Sequence, residues 1–128
     1  MKSKLEIYAL SVCFAAVVCL VISAGIAGYA IFKVGTPELT MRSYDYNRHQ
    51  SNESFWKDNN ESCSDEKKVI VKPSADAITK QRLESFALEF MAERRDGLQS
   101  LIHSLIFILI GSITLLIHWK IAQKTRAA

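Results

Sequence analysis

Three histidines, three cysteines and thirteen Asp/Glu carboxylates are the groups in this 128-residue chain able to ligate a metal, act as nucleophiles or move protons. Their spacing suits none of these tasks. A zinc site draws four N or S ligands from closely spaced pairs, and Cys13, Cys19, Cys63, His49, His103 and His118 make no such pair. His103 and His118 are separated by about 22 Å along a helix that rises 1.5 Å per residue, so they cannot share an ion. No nucleophile stands in register with a base, no glycine-rich loop offers a phosphate cradle, and no basic patch invites nucleic acid. The expectation is therefore a non-enzymatic protein without cofactor, metal or nucleic-acid partner.

His103 and His118 keep one claim to attention, because both fall in a long apolar segment. Ionisable residues there are rare and mark functional sites by default. The simpler role is a neutral imidazole donating to a neighbouring helix or to lipid headgroups. A proton relay or sensor is the alternative. His49, in the polar middle of the chain, shows no partner pattern.

The elements that must position these groups follow from the distribution of charge. Overall composition, 49% hydrophobic and 23% charged, resembles that of a soluble domain. The arrangement does not. Ile7 to Phe32 and Leu98 to Trp119 contain no Asp, Glu, Lys or Arg, while Lys33 to Gly97 holds 11 of the 16 Lys/Arg and 12 of the 13 Asp/Glu. Each apolar block reaches the roughly 20 residues that a helix needs to cross a bilayer. The polar middle is too short to cover two such helices on all sides, so lipid is expected to do so. Gly28-Tyr29-Ala30 imitates a signal cleavage site, but the preceding apolar stretch far exceeds a signal's 7–15 residues. Uncleaved insertion is expected.

These observations predict an all-α membrane protein. Its two transmembrane helices form an antiparallel hairpin, the second extended by an extramembrane amphipathic helix. The expected divisions are a tail over 1–6, a transmembrane helix over 7–32, an irregular segment over 33–73, an amphipathic helix over 74–97, a transmembrane helix over 98–119 and a tail over 120–128. Lys2, Lys4, Lys120, Lys124 and Arg126 flank the apolar blocks on their outer ends. By the positive-inside rule both termini lie in the cytoplasm. The short, plain tails suggest a bacterial inner membrane, where the two Asn-x-Ser sequons at Asn52 and Asn60 would carry no glycan. Cys13 and Cys19 read as small packing residues. Cys63 stands alone, free or paired with another chain.

In lipid, helices associate by close approach, which small residues permit. Ser11, Ala15, Cys19, Ser23 and Ala27 recur at every fourth position, with Gly28 beside them, and predict a right-handed helix contact. In the second block Ser100, His103, Ser104, Phe107, Gly111, Thr114, Leu115 and His118 share one sector, so Ser104 and Gly111 are expected to meet the first helix or another chain. Between the blocks, Gly35 and Pro37 break the chain. Val69 to Val71 is either a very short strand or an extended lead-in. Pro73-Ser74 signals a helix start, with Ser74 as N-cap and Asp76 at the positive dipole end. Leu83, Phe86, Ala87, Phe90 and Met91 repeat at helical spacing. Gly97, at about 1 kcal/mol, need not end that helix.

The function expected from these features is that of a small integral membrane protein: an accessory subunit or scaffold contacting the bilayer and another membrane protein or its own copies. A self-assembling channel is the alternative, weakened by the lack of a charged selectivity ring.

Overall fold

The computed structural model describes residues 4–61 and 71–127, and every regular element among them is helical. In chain order these are α1 (Lys4–Gly35), α2 (Pro37–Thr40), α3 (Ser43–Arg48), α4 (Asn52–Glu61) and α5 (Ala75–Ala127). Two of them, α1 and α5, are long and apolar enough to cross a membrane. The chain divides into two compact units: Met1–Ile31 with Gly97–Ala128, and Phe32–Asp96. Cys63, Val69, Ile70 and the Ser62 end of the second sequon lie outside the described residues.

In the first unit, α1 and α5 pack through one narrow face each. The inward positions of α1 are Glu6, Ala9, Cys13 and Ala16, then Leu20, Ser23, Ala27 and Ala30; Leu20 is half-buried and the others are buried. Those of α5 are Gly97, Leu101, Ser104 and Ile108, then Gly111, Leu115, His118 and Ala122, each buried or half-buried. Both series advance by alternating steps of three and four. That mean step of 3.5 keeps a seam facing its partner when helices wind left-handedly.

The four-residue series read from the sequence is therefore not the one that meets α5. Ser23 and Ala27 are buried, but Ser11, Ala15 and Cys19 are exposed. The reason is angular. A step of four residues gains about 40° on the helix, so five members spread over about 160°, too wide for one contact face.

Side-chain size in the seam is complementary. Leu20, the one large residue in α1's row, rests over Gly111, the smallest position in α5's. A methyl group added at Gly111 would lie 3.0 Å from Leu20 Cδ2 and 3.2 Å from its Cγ. Away from the seam the large apolar side chains are bare: Phe14 is 72% exposed, Val21 67%, Phe107 63% and Leu116 61%.

The second unit corrects the expectation of an irregular 33–73. α2, α3 and α4 occupy much of it. Hydrophobic periodicity does not announce them, because they are short and polar. Isolated helices of this length are marginal in water and depend on tertiary contacts. α5 begins where the capping signal placed it. The Ala77 amide donates to Ser74 Oγ at 3.3 Å, and the Ile78 amide to the Ser74 carbonyl at 3.1 Å. The helix then passes through Gly97 without a break.

The Leu20–Gly111 contact predicts an asymmetric mutational response. In detergent micelles, Gly111→Leu should weaken the α1–α5 association by about 1–3 kcal/mol through overpacking. Adding Leu20→Ala should recover part of that loss. Steric trapping of the full chain measures both; a Gly111→Leu penalty indifferent to residue 20 counts against the contact.

Candidate functional site

The polar and charged groups that the fold gathers form three local arrangements, and each lies within a single unit. The first is at the N-terminal end of α1. Glu6 is buried at the start of the seam, and Arg126 donates to its Oε1 from α5 at 3.3 Å. A carboxylate withdrawn from water requires such a partner. Beside it, His118 packs edge-on to Tyr8, with ring centroids 6.1 Å apart. His118 Nδ1–H donates to the Thr114 carbonyl at 2.9 Å, which fixes the tautomer. The apolar segment's hydroxyls are satisfied similarly: Ser104 donates to Ser100 O at 2.8 Å and Ser11 to Ile7 O at 2.9 Å. His103 is exposed and has no hydrogen-bond partner among the described residues.

The second arrangement is a clamp in the polar unit. Lys33, at the end of α1, pairs with Glu93 at 3.2 Å and with Asp96, both on α5. The Asp96 carboxylate holds the Lys33 ammonium above the ordinary lysine value; burial opposes this, and Glu93 adds to it. A cleft of about 590 Å³ opens beside the clamp, where Arg42, Asp45 and Glu89 join these three charges. The lining carries both signs of charge. No metal-binding group of three or more His, Cys, Asp or Glu occurs among the described residues.

The third is a nest around His49, the histidine whose sequence context showed no partner. Its ring lies between Phe55 of α4 and Phe86 of α5, at centroid distances of 5.7 and 5.5 Å. Nδ1–H donates to the Asp45 carbonyl at 2.6 Å, so in the neutral ring Nε2 accepts from Ser85 Oγ, 3.0 Å away. Arg82 donates to the His49 carbonyl at 3.0 Å. Around this centre Arg48 pairs with Asp58 at 3.3 Å and lies 5.6 Å over the Phe55 ring, while Tyr44 donates to Asp58. Asn52 Nδ2, the glycan-acceptor atom of the first sequon, donates to Thr79 Oγ1 at 2.8 Å.

This nest also redirects the apolar stripe expected on α5. Phe86 and Phe90 are half-buried, but Leu83, Ala87 and Met91 are exposed. The inward sector also takes in Ile78, Arg82 and Ser85, because Arg82 and Ser85 meet the carbonyl and the ring of His49, which caps the end of α3.

Of the residues singled out from sequence, the structure brings Ser23, Ala27, Ser104, Gly111 and His118 to the α1–α5 seam, with Gly28 half-buried at its edge. It leaves Ser11, Ala15, Cys19 and His103 on outer surfaces. Sequence reasoning passed over Glu6, Lys33 and His49. For Glu6 and Lys33 a signal was present: each is the charge bordering the first apolar block, and opposite charges border the second. For His49 there was none, because Ser85, Arg82 and Phe86, which join it to α5, lie more than thirty positions away. Comparison with family models, curated proteins and solved structures gives no match.

Two outcomes follow. His49→Ala removes a buried ring and two hydrogen bonds, a loss of about 2–4 kcal/mol from the polar unit. Amide exchange in α3 and α4 should accelerate, while that of the α1 interior stays unchanged; slow exchange retained in α3 and α4 would contradict the nest's role. Lys33, with its folded pKa raised, contributes stability that is complete below the ordinary value of 10.5 and lost as pH climbs through the folded value. Lys33→Gln should therefore lower Tm by an amount that is constant from neutral pH to about 10 and shrinks above 10.5.

Proposed function

We propose that this chain is a small integral membrane protein whose α1–α5 pair spans the bilayer as an antiparallel hairpin, both termini cytoplasmic, and serves as an accessory subunit or scaffold for another membrane protein. The order of contacts supports the hairpin: Glu6 meets Arg126, Tyr8 meets His118, and Leu20 meets Gly111. Ascending positions on α1 thus meet descending ones on α5. The Lys/Arg flanking both outer ends supports the orientation.

One observation carries the accessory role. The seam engages a single face of α1 and leaves Ser11, Ala15 and Cys19 outside it, among large exposed side chains. These residues keep the four-residue spacing that favours close helix approach in lipid. A further helix lying across α1 would use them, and the seam with α5 would remain intact. The channel reading has less support, since Ser104, Gly111 and His118, which would line a pore, are occupied against α1.

Photo-crosslinking in native membranes tests the accessory role. A benzophenone side chain at position 11, 15 or 19 should give one protein adduct of constant mass. The same probe at Ile113 or Leu116, on the bare side of α5, should capture lipid alone. Protein adducts from neither set, or equally from both, would sink the proposal.

A further inference from the structure

We infer that the end of the α1–α5 pair carrying Glu6 and Arg126 is a recognition surface for anionic phospholipid headgroups. The inference rests on the bilayer-spanning reading above and deepens it by naming the lipid class.

Four exposed cations gather within this unit: Lys4 on α1, and Lys120, Lys124 and Arg126 on α5. Glu6 is the only Asp or Glu in the unit. It is turned into the seam, its side chain 8% exposed, and held by Arg126, which itself remains 69% exposed. The unit's one acidic side chain is thereby withdrawn from the surface. Lys120 and Lys124 form no ion pair with any described residue. The other border of the charge-free stretches carries acidic side chains among its cations: Lys33 pairs with Glu93 and Asp96, and the exposed Arg94 and Arg95 lie between those two carboxylates in sequence. Two amphipathic aromatics complete the surface: Tyr8 is 60% exposed and Trp119 49% exposed. Such rings settle at headgroup depth. Bare cations at that depth attract phosphodiester anions, each contributing about fivefold in local preference at low salt.

Trp119 is a reporter already in place. With Trp56→Phe it becomes the chain's only tryptophan. The full-length variant is reconstituted in phosphatidylcholine nanodiscs containing phosphatidylglycerol at a fixed fraction, with bromine on the acyl chains of one lipid or the other. Brominated phosphatidylglycerol is expected to quench Trp119 about fivefold more per mole than brominated phosphatidylcholine. The excess should fall as salt rises from about 0.05 to 0.5 M. It should fall severalfold in Lys120→Gln/Lys124→Gln, leaving the share of Lys4 and Arg126, and persist in full in Lys72→Gln/Lys80→Gln, whose lysines belong to the other unit. Trp119→Phe with Trp56 retained supplies the background. Equal quenching by the two lipids, or an excess undiminished in Lys120→Gln/Lys124→Gln, overturns the inference while leaving the helices in the bilayer. Quenching by neither lipid overturns the spanning reading as well.

Discussion

Close approach of two backbones along a row of small side chains is the constraint on which the apolar unit depends. On the bilayer-spanning reading proposed above, the surroundings are as apolar as the helices, so burial of hydrophobic surface gives little preference for one helix over the bilayer. Dispersion between well-fitted surfaces must supply the attraction, and it falls quickly with distance. Ala9, Cys13, Ala16, Ser23, Ala27 and Ala30 allow that fit on α1. Leu20 would spoil it if it did not settle over Gly111. The large side chains then have no place in the contact and cover the outside.

Shape fixes the seam's register at Leu20 over Gly111, while elsewhere one small residue resembles the next. Charge adds further constraints. Glu6 with Arg126, and Lys33 with Glu93 and Asp96, join α1 to α5 just beyond either end of the charge-free stretch of α1. The signs are opposed: α1 is acidic first and basic last, and α5 follows the same order. The antiparallel alignment proposed above sets unlike charges together at both ends. A parallel pair of α1 helices would instead oppose like charges at each. Buried or half-buried ion pairs give uncertain net stability, but they discriminate strongly between registers.

The polar unit solves a different problem. Its helices α2, α3 and α4 are too short and polar to persist alone, and they carry few large apolar groups. His49 compensates by combining ring contact with two directional hydrogen bonds, so that one residue ties α3 and α4 to α5. Arg82 and Ser85 occupy the inward sector of α5 for this purpose, and the leucine and methionine of the expected stripe turn to solvent. A hydrogen-bonded histidine flanked by Phe55 and Phe86 thus forms the centre of this unit beside the buried Ile78, with Arg48 Nε, Asn52 Oδ1 and Arg82 Nε buried without a hydrogen-bond partner among the described residues.

Much of the architecture was legible in the residues themselves. Two charge-free blocks of spanning length, the Ser74 cap and the absence of proline and glycine from Ala75 to Asp96 depend on local physical chemistry, and the structure has helices in those places. The all-α class followed from the same evidence. Which small residues of α1 meet α5 was not legible, since four-residue and 3.5-residue series overlap at Ser23 and Ala27 and separate only when a partner's position is known. Nor were α2, α3 and α4, or the role of His49, because Ser85, Phe86 and Arg82 are distant in the chain. Sequence by itself determined where α1 and α5 form, since caps, charge-free length and breakers act within a few residues. Tertiary structure alone decided which face each helix turns inward, since that choice depends on the shape and polarity of a neighbour remote in sequence.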